Sequence, residues 1–158
     1  MGGATYRVTQ VDVHEDYTGA LLGTDDANDI AILQLDRVVE DVTPSRLLTD
    51  TPTVGSELTL VGFGPREGDN HQFGTKRVGT TPIDGVTSTL IAWEFDGDNE
   101  ATTVRGDSGS PQFIHEDGVY YLASIASDGT LNDTYVGDFA YNTRIDTYFD
   151  WIASVIAE

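Results

Sequence analysis

The apolar positions of this chain fall mostly into short runs rather than into long periodic stretches. Runs rich in Val, Ile, Thr, Tyr and Phe alternate with clusters of Gly, Asp, Asn and Pro, a pattern that predicts an antiparallel all-β domain. The predicted strands are Tyr6 to Val13, Ile30 to Leu35, Leu58 to Phe63, Lys76 to Ile83, Thr89 to Phe95, Pro111 to Ile114, Val119 to Ser127 and Ala140 to Ile145. Within the second, Ile30-Ala31-Ile32-Leu33 is continuously apolar, which predicts a strand buried on both faces. The period changes at the end of the chain. There Tyr148, Trp151, Ile152 and Val155 share one helical face behind Asp146 or Thr147 as N-cap, which predicts a single C-terminal helix. Between Asp36 and Glu57 the alternation weakens into Val-Thr-Pro and Asp-Thr-Pro-Thr-Val-Gly, the composition of a connection between two packed units.

Composition narrows the functional classes. The chain has 158 residues, one medium domain or two small ones, and no cysteine, so disulfides, thiolate metal sites and a cysteine nucleophile are all excluded. Its 8 Lys and Arg stand against 27 Asp and Glu, and a net charge of −19 repels phosphate backbones and anionic lipid surfaces. Neither nucleic acid nor a membrane is therefore expected as a partner. The single lysine, Lys76, and the preference for Asp fit a saline or extracellular setting, although a plain soluble acidic surface is the simpler reading. No run approaches the ~20 apolar residues needed to span a bilayer, and residues 1–20 lack the pattern of a signal peptide. A targeting segment, if the protein is secreted, is expected upstream of Met1.

Gly106-Asp107-Ser108-Gly109-Ser110-Pro111 carries the most chemical information. A serine between glycines fits a tight turn in which a nucleophile and converging backbone N–H donors come from the same few residues, although a single such match also describes an ordinary Gly/Ser turn. Upstream, Asn28-Asp29-Ile30-Ala31-Ile32-Leu33 places an acid at the mouth of an apolar strand, where a solvated turn residue is the alternative. Together these segments resemble the trypsin-like (chymotrypsin-fold) serine proteases. The likeness continues in order through Val61-Gly62-Phe63-Gly64, Ala123-Ser124-Ile125-Ala126-Ser127, Tyr141-Asn142-Thr143-Arg144-Ile145 and Tyr148-Phe149-Asp150-Trp151-Ile152.

The resemblance implies a double antiparallel Greek-key β-barrel with the first barrel incomplete, plus the C-terminal α-helix. On it, residues 1–43 are the remainder of the first barrel, 44–56 the inter-barrel connection, 57–146 the second barrel and 147–158 the helix. It implies Ser108 as nucleophile, Asp29 as the acid that orients a general base, and the N–H groups of Gly106 and Ser108 as oxyanion hole. Asp107 matches the acid that orders that hole by pairing with a freed N-terminal amine. Thr102 falls at the base of the specificity pocket, with Ser127, Gly129 and Ala140 also contacting substrate. Because Thr102 is uncharged, a strong Arg or Lys preference is not expected. No cofactor or metal is implied, and Asp96-Gly97-Asp98-Asn99-Glu100 lacks the glycine and distal glutamate of an EF-hand loop.

The pattern departs from the family at two points. Ser110 replaces a glycine after the nucleophile, and none of His14, His71 or His115 stands in the family's Ala-Ala-His context. His14 is read as structural, His71 as a polar-loop residue and His115 as part of a hairpin turn. The expectation is therefore a fragment of a secreted serine endopeptidase that acts on protein or peptide substrates and is completed by an upstream N-terminal segment. Alone it is expected to be inactive for want of the histidine. The alternative is a catalytically inactive homologue that binds a protein partner.

Overall fold

The computed structural model describes residues 4–19, 25, 27–65, 73–97, 99–130 and 135–157. Strands β1 (Val8–Val13) and β2 (Ala31–Leu35) form a two-stranded antiparallel ribbon, registered by Val11 opposite Leu33 and Val13 opposite Ala31. The other strands are β3 (Arg46–Leu47), β4 (Glu57–Gly62), β5 (Arg77–Pro82), β6 (Gly85–Val86), β7 (Leu90–Phe95), β8 (Pro111–Glu116), β9 (Val119–Gly129) and β10 (Asp138–Arg144). They make one curled eight-stranded sheet in the order β5-β4-β8-β9-β10-β7-β6, to which β3 adds in parallel against β9. A short 3-10 turn, Asp146–Tyr148, leads into helix α1 (Phe149–Ile156).

Period-2 alternation explains the sheet. In β4, Leu58 and Leu60 point inward, while β8 turns Gln112 and Ile114 to the same interior. They pack with Ile83, Ile91, Trp93, Ala123 and Ala140 in the main core, where each fully buried Leu or Ile is worth about 1.5–3 kcal/mol. A second cluster of Ile30, Ile145, Tyr148 and Ile152 holds α1 against the start of the ribbon, as the helical spacing predicted.

Several expectations are corrected. The Ile30-Ala31-Ile32-Leu33 run is not buried on both faces: Ile30 and Ile32 join the second cluster, but Leu33 is 54% exposed. The reason is architectural, since β2 pairs with β1 alone among the described residues and no layer covers the outer half of the ribbon. His115 lies on strand β8. The turn is Asp117-Gly118, both at positive φ (48° and 79°), as a two-residue hairpin turn requires. Neither Asp146 nor Thr147 caps α1: its N-cap is Tyr148, and the Asp146 carboxylate accepts from Arg144 Nε at 3.0 Å. The last strand opens at Asp138, two residues before the predicted start at Ala140. Two short strands, β3 and β6, carry too few residues to show a period.

Candidate active site

Ser108 sits exposed on a turn that is fixed on both sides. Gly106 at φ 103° and Gly109 at φ 78° supply the left-handed backbone that lets the chain reverse twice around it. The Gly109 N–H donates to the Ala126 carbonyl at 2.8 Å, and the Ala126 N–H returns a bond to the Ser110 carbonyl at 2.9 Å, so β9 holds the turn. Beneath it the buried Asp107 carboxylate accepts the Gly64 N–H at 2.7 Å and the Val104 N–H at 3.0 Å. Gly62 and Gly64 are glycines for a local reason, because a Cβ on either would fall within 3.0 Å of that carboxylate. The N–H groups of Gly106 and Ser108 donate to nothing among the described residues. A cavity of about 340 Å³ is lined by Asp107 together with Leu60, Val78, Ala101 and Val104.

Asp29 is placed by the second sheet. The Ser127 hydroxyl of β9 donates to Asp29 Oδ2 at 2.7 Å, and the Thr143 hydroxyl of β10 donates to the Asp29 carbonyl at 2.9 Å. Its neighbour Asn28 takes φ 46°, a conformation asparagine tolerates, and its Oδ1 accepts the Tyr148 hydroxyl at 2.8 Å. Burial pushes the Tyr148 phenol above its ordinary value, which keeps it a donor.

Beside Ser108 lies a pocket of about 120 Å³ whose walls include Thr102, Ser127, Gly129 and Ala140, four positions singled out in the sequence. Ser127 lines this pocket together with Ser108 and also bonds Asp29. The same pocket is lined by Asp138, which the sequence reading missed. It stands two residues before Ala140 on the same strand face, and a strand begun at Ala140 leaves it in the loop.

Neither described imidazole bonds Asp29 or Ser108. His14 Nδ1 accepts the Asp16 N–H at 3.2 Å, and its ring packs against Tyr148 and Trp151 at centroid distances of 5.2 and 5.0 Å. His115 stacks on Tyr120 at 4.4 Å, near the far end of β8 from the serine turn. His71 lies outside the described residues, as does Asp98 of the rejected calcium loop. Among the described residues no three carboxylates or imidazoles converge as a metal site would require.

The trypsin family model matches residues 2–152. Snake venom serine protease catroxase-1 from Crotalus atrox is 28% identical over an alignment of 148 positions covering 82% of this chain. The alignment takes in 54% of that relative, so the chain spans about half the length of the curated protein it matches. A family match over nearly the whole chain agrees with the serine turn braced by Asp107 and the acid held by Ser127: the chain belongs to the trypsin-like serine proteases.

Proposed function

We propose that this chain is the acid- and nucleophile-bearing part of a secreted serine endopeptidase that cleaves protein or peptide substrates through an acyl-enzyme on Ser108. The observation that carries the reading is the hydrogen bond from Ser127 to Asp29, because Ser127 also lines the pocket next to Ser108. In this reading the Ser108 hydroxyl attacks the scissile carbonyl, and the free N–H groups of Gly106 and Ser108 receive the charge that develops on its oxygen. Asp107, by holding the Gly64 and Val104 amides, keeps those donors aimed at one point. Asp29 orients and compensates an imidazolium supplied by a further segment, which also covers the open faces of the β1–β2 ribbon. The reading needs no cofactor, and the venom relative supports a secreted setting for it. No described helix is long and apolar enough to cross a membrane.

The test is a turnover assay on two proteins. The 158-residue chain alone is expected to show no serine-dependent peptidase activity, since loss of the imidazole costs about 10⁶ in rate in enzymes of this mechanism. The same chain joined to a histidine-bearing N-terminal segment is expected to hydrolyse peptides, with activity abolished in Ser108→Ala. Hydrolysis by the chain alone that vanishes in Ser108→Ala yet survives replacement of each of His14, His71 and His115 would contradict the assignment. A non-catalytic homologue is the second reading, favoured by the absence of any described imidazole bonded to Asp29; it predicts an inactive completed chain that still binds a protein partner.

A further inference from the structure

The interior of the main sheet holds polar groups that the described residues do not satisfy. Trp93, Gln112, Ser124 and Asn142 are all 0% exposed, and Gln112 Oε1 accepts the Ser124 hydroxyl at 3.0 Å. The Gln112 Nε2 amide, both ends of the Asn142 amide and the Trp93 indole N–H have no partner among the described residues. A buried polar group left unpaired loses its hydrogen bonds to solvent and gains none. In native folds such groups are therefore almost always paired, with protein or with ordered water.

The strand registers put these groups on one inner face. Gln112 stands opposite Ser124, Asn142 opposite Ala126, and Trp93 opposite Ala140, which is two residues along β10 from Asn142. Ser124 and Ala126 are two apart on β9 and so share a face. The positions between the unpaired groups are thus Ser124, Ala126 and Ala140, whose short side chains leave room between the longer ones. Three of the unpaired groups are N–H donors and one, Asn142 Oδ1, is an acceptor. A cation has nothing to offer such donors, and an anion cannot donate to Asn142 Oδ1. Water does both. Turning the Asn142 amide over exchanges its ends and leaves one donor and one acceptor unpaired as before.

We infer that Gln112, Asn142 and Trp93 bind buried water inside the main sheet, at a neutral hydration site that β7, β8 and β10 share across the face of β9. A buried water needs two to four polar partners, and these side chains supply them. Asn142 is the central ligand, because it offers both a donor and an acceptor and stands between the other two in strand order. The site also adjoins the anchor of the serine turn. Ala126, the cross-strand partner of Asn142, holds the Gly109 N–H and the Ser110 carbonyl through its own backbone. The inference does not depend on the endopeptidase reading.

The test is a pair of water-selective NMR spectra, NOESY and ROESY, on the 158-residue chain. The Gln112 and Asn142 side-chain amides and the Trp93 indole N–H are each expected to show a cross-peak to water. Its sign relative to the diagonal should reverse between the two spectra, which separates a long-lived water from hydrogen exchange. The backbone amides of Leu58 and Ile114, in strands paired on both sides, are controls expected to show none. Absence of the dipolar cross-peak at any of the three side chains overturns the inference, with no variant needed. Asn142→Leu, similar in size and apolar, is expected to remove the water cross-peaks of Gln112 and Trp93, and their survival overturns the shared site. Asn142→Ser keeps a hydrogen-bonding group and is expected to retain them, so their loss there counts against it too. Exchanging sodium gluconate for sodium chloride at constant ionic strength is expected to leave all three resonances in place, and a saturable shift would assign the site to an anion instead. A saturable shift of the Ile91 or Ala140 methyl groups under xenon would show a dry apolar cavity and overturn the inference.

Discussion

A methyl group added to Gly62 has nowhere to go. The Asp107 carboxylate it would meet is a short side chain pinned by two amides, so it cannot swing aside without leaving the Gly64 or Val104 N–H unpaired. Gly62→Ala is therefore expected to destabilise the chain by about 1–3 kcal/mol, the range for overpacking, in urea unfolding. The penalty should largely disappear when Asp107 is also replaced by alanine, and additive effects would show that the contact is not the cause. At Asp25 the burial penalty is outweighed by hydrogen bonds from Thr87, Ser88 and Thr89, which hold its carboxyl below the ordinary 3.8. A folded value lower than the unfolded one means that Asp25 stabilises the fold above pH 3.8 and that this contribution is lost as pH falls through the lowered value. Asp25→Asn is expected to be less stable than the parent near neutral pH, with the difference shrinking as acid is added. A difference that stays constant down the acid limb of the stability curve would refute it.

The elements show which parts of the molecule a sequence displays. Strands such as β4 and β7 were legible because alternating or continuous apolar residues announce a buried face, and α1 because its spacing is helical. Burial of β2 was not legible, because an apolar run says which residues prefer the interior and not whether any layer arrives to cover them. The start of β10 was hidden for a different reason. Aspartate is a poor strand former and expensive to bury, so Asp138 beside Gly137 reads as loop. Ser108 and Asp29 stood out through the family likeness, whereas the Ser127–Asp29 bond spans 98 residues and has no local signature. The far end of β10 carries its own prediction. Arg144, 7% exposed, is held by Asp146, Thr51 and the Thr87 carbonyl, and so stitches β10 to two loops. Asp146→Ala leaves that guanidinium buried without its counter-charge and is expected to cost about 3–5 kcal/mol in denaturant unfolding. A loss below about 1 kcal/mol, the scale of an exposed pair, would show that solvent reaches the guanidinium.

At the scale of the whole molecule, 19 net negative charges repel one another across a small surface. The screening length falls from ~30 Å at 0.01 M salt to ~3 Å at 1 M, so sodium chloride is expected to raise the melting temperature. A control with exposed aspartates changed to asparagine should gain less, and an equal gain would assign the effect to something other than charge. The same surface includes the apolar side chains of the ribbon, with Val11, Val13 and Leu33 each more than half exposed. That ribbon is built differently from the sheet beside it. Strand β9 runs for 11 residues with β8, β10 and β3 bonded along it, while among the described residues β1 and β2 pair only with each other, and Asp29 just ahead of β2 bonds the Ser127 and Thr143 hydroxyls of the sheet. In deuterated water the amides of Leu122 to Ala126 should therefore be the last to exchange, and those of Val11 to Val13 among the first to do so. An opening that runs on from the ribbon to residue 29 frees Asp29 from Ser127 and Thr143 without unfolding the sheet. The chain would then pass through brief intervals in which the serine turn is intact and the acid is away.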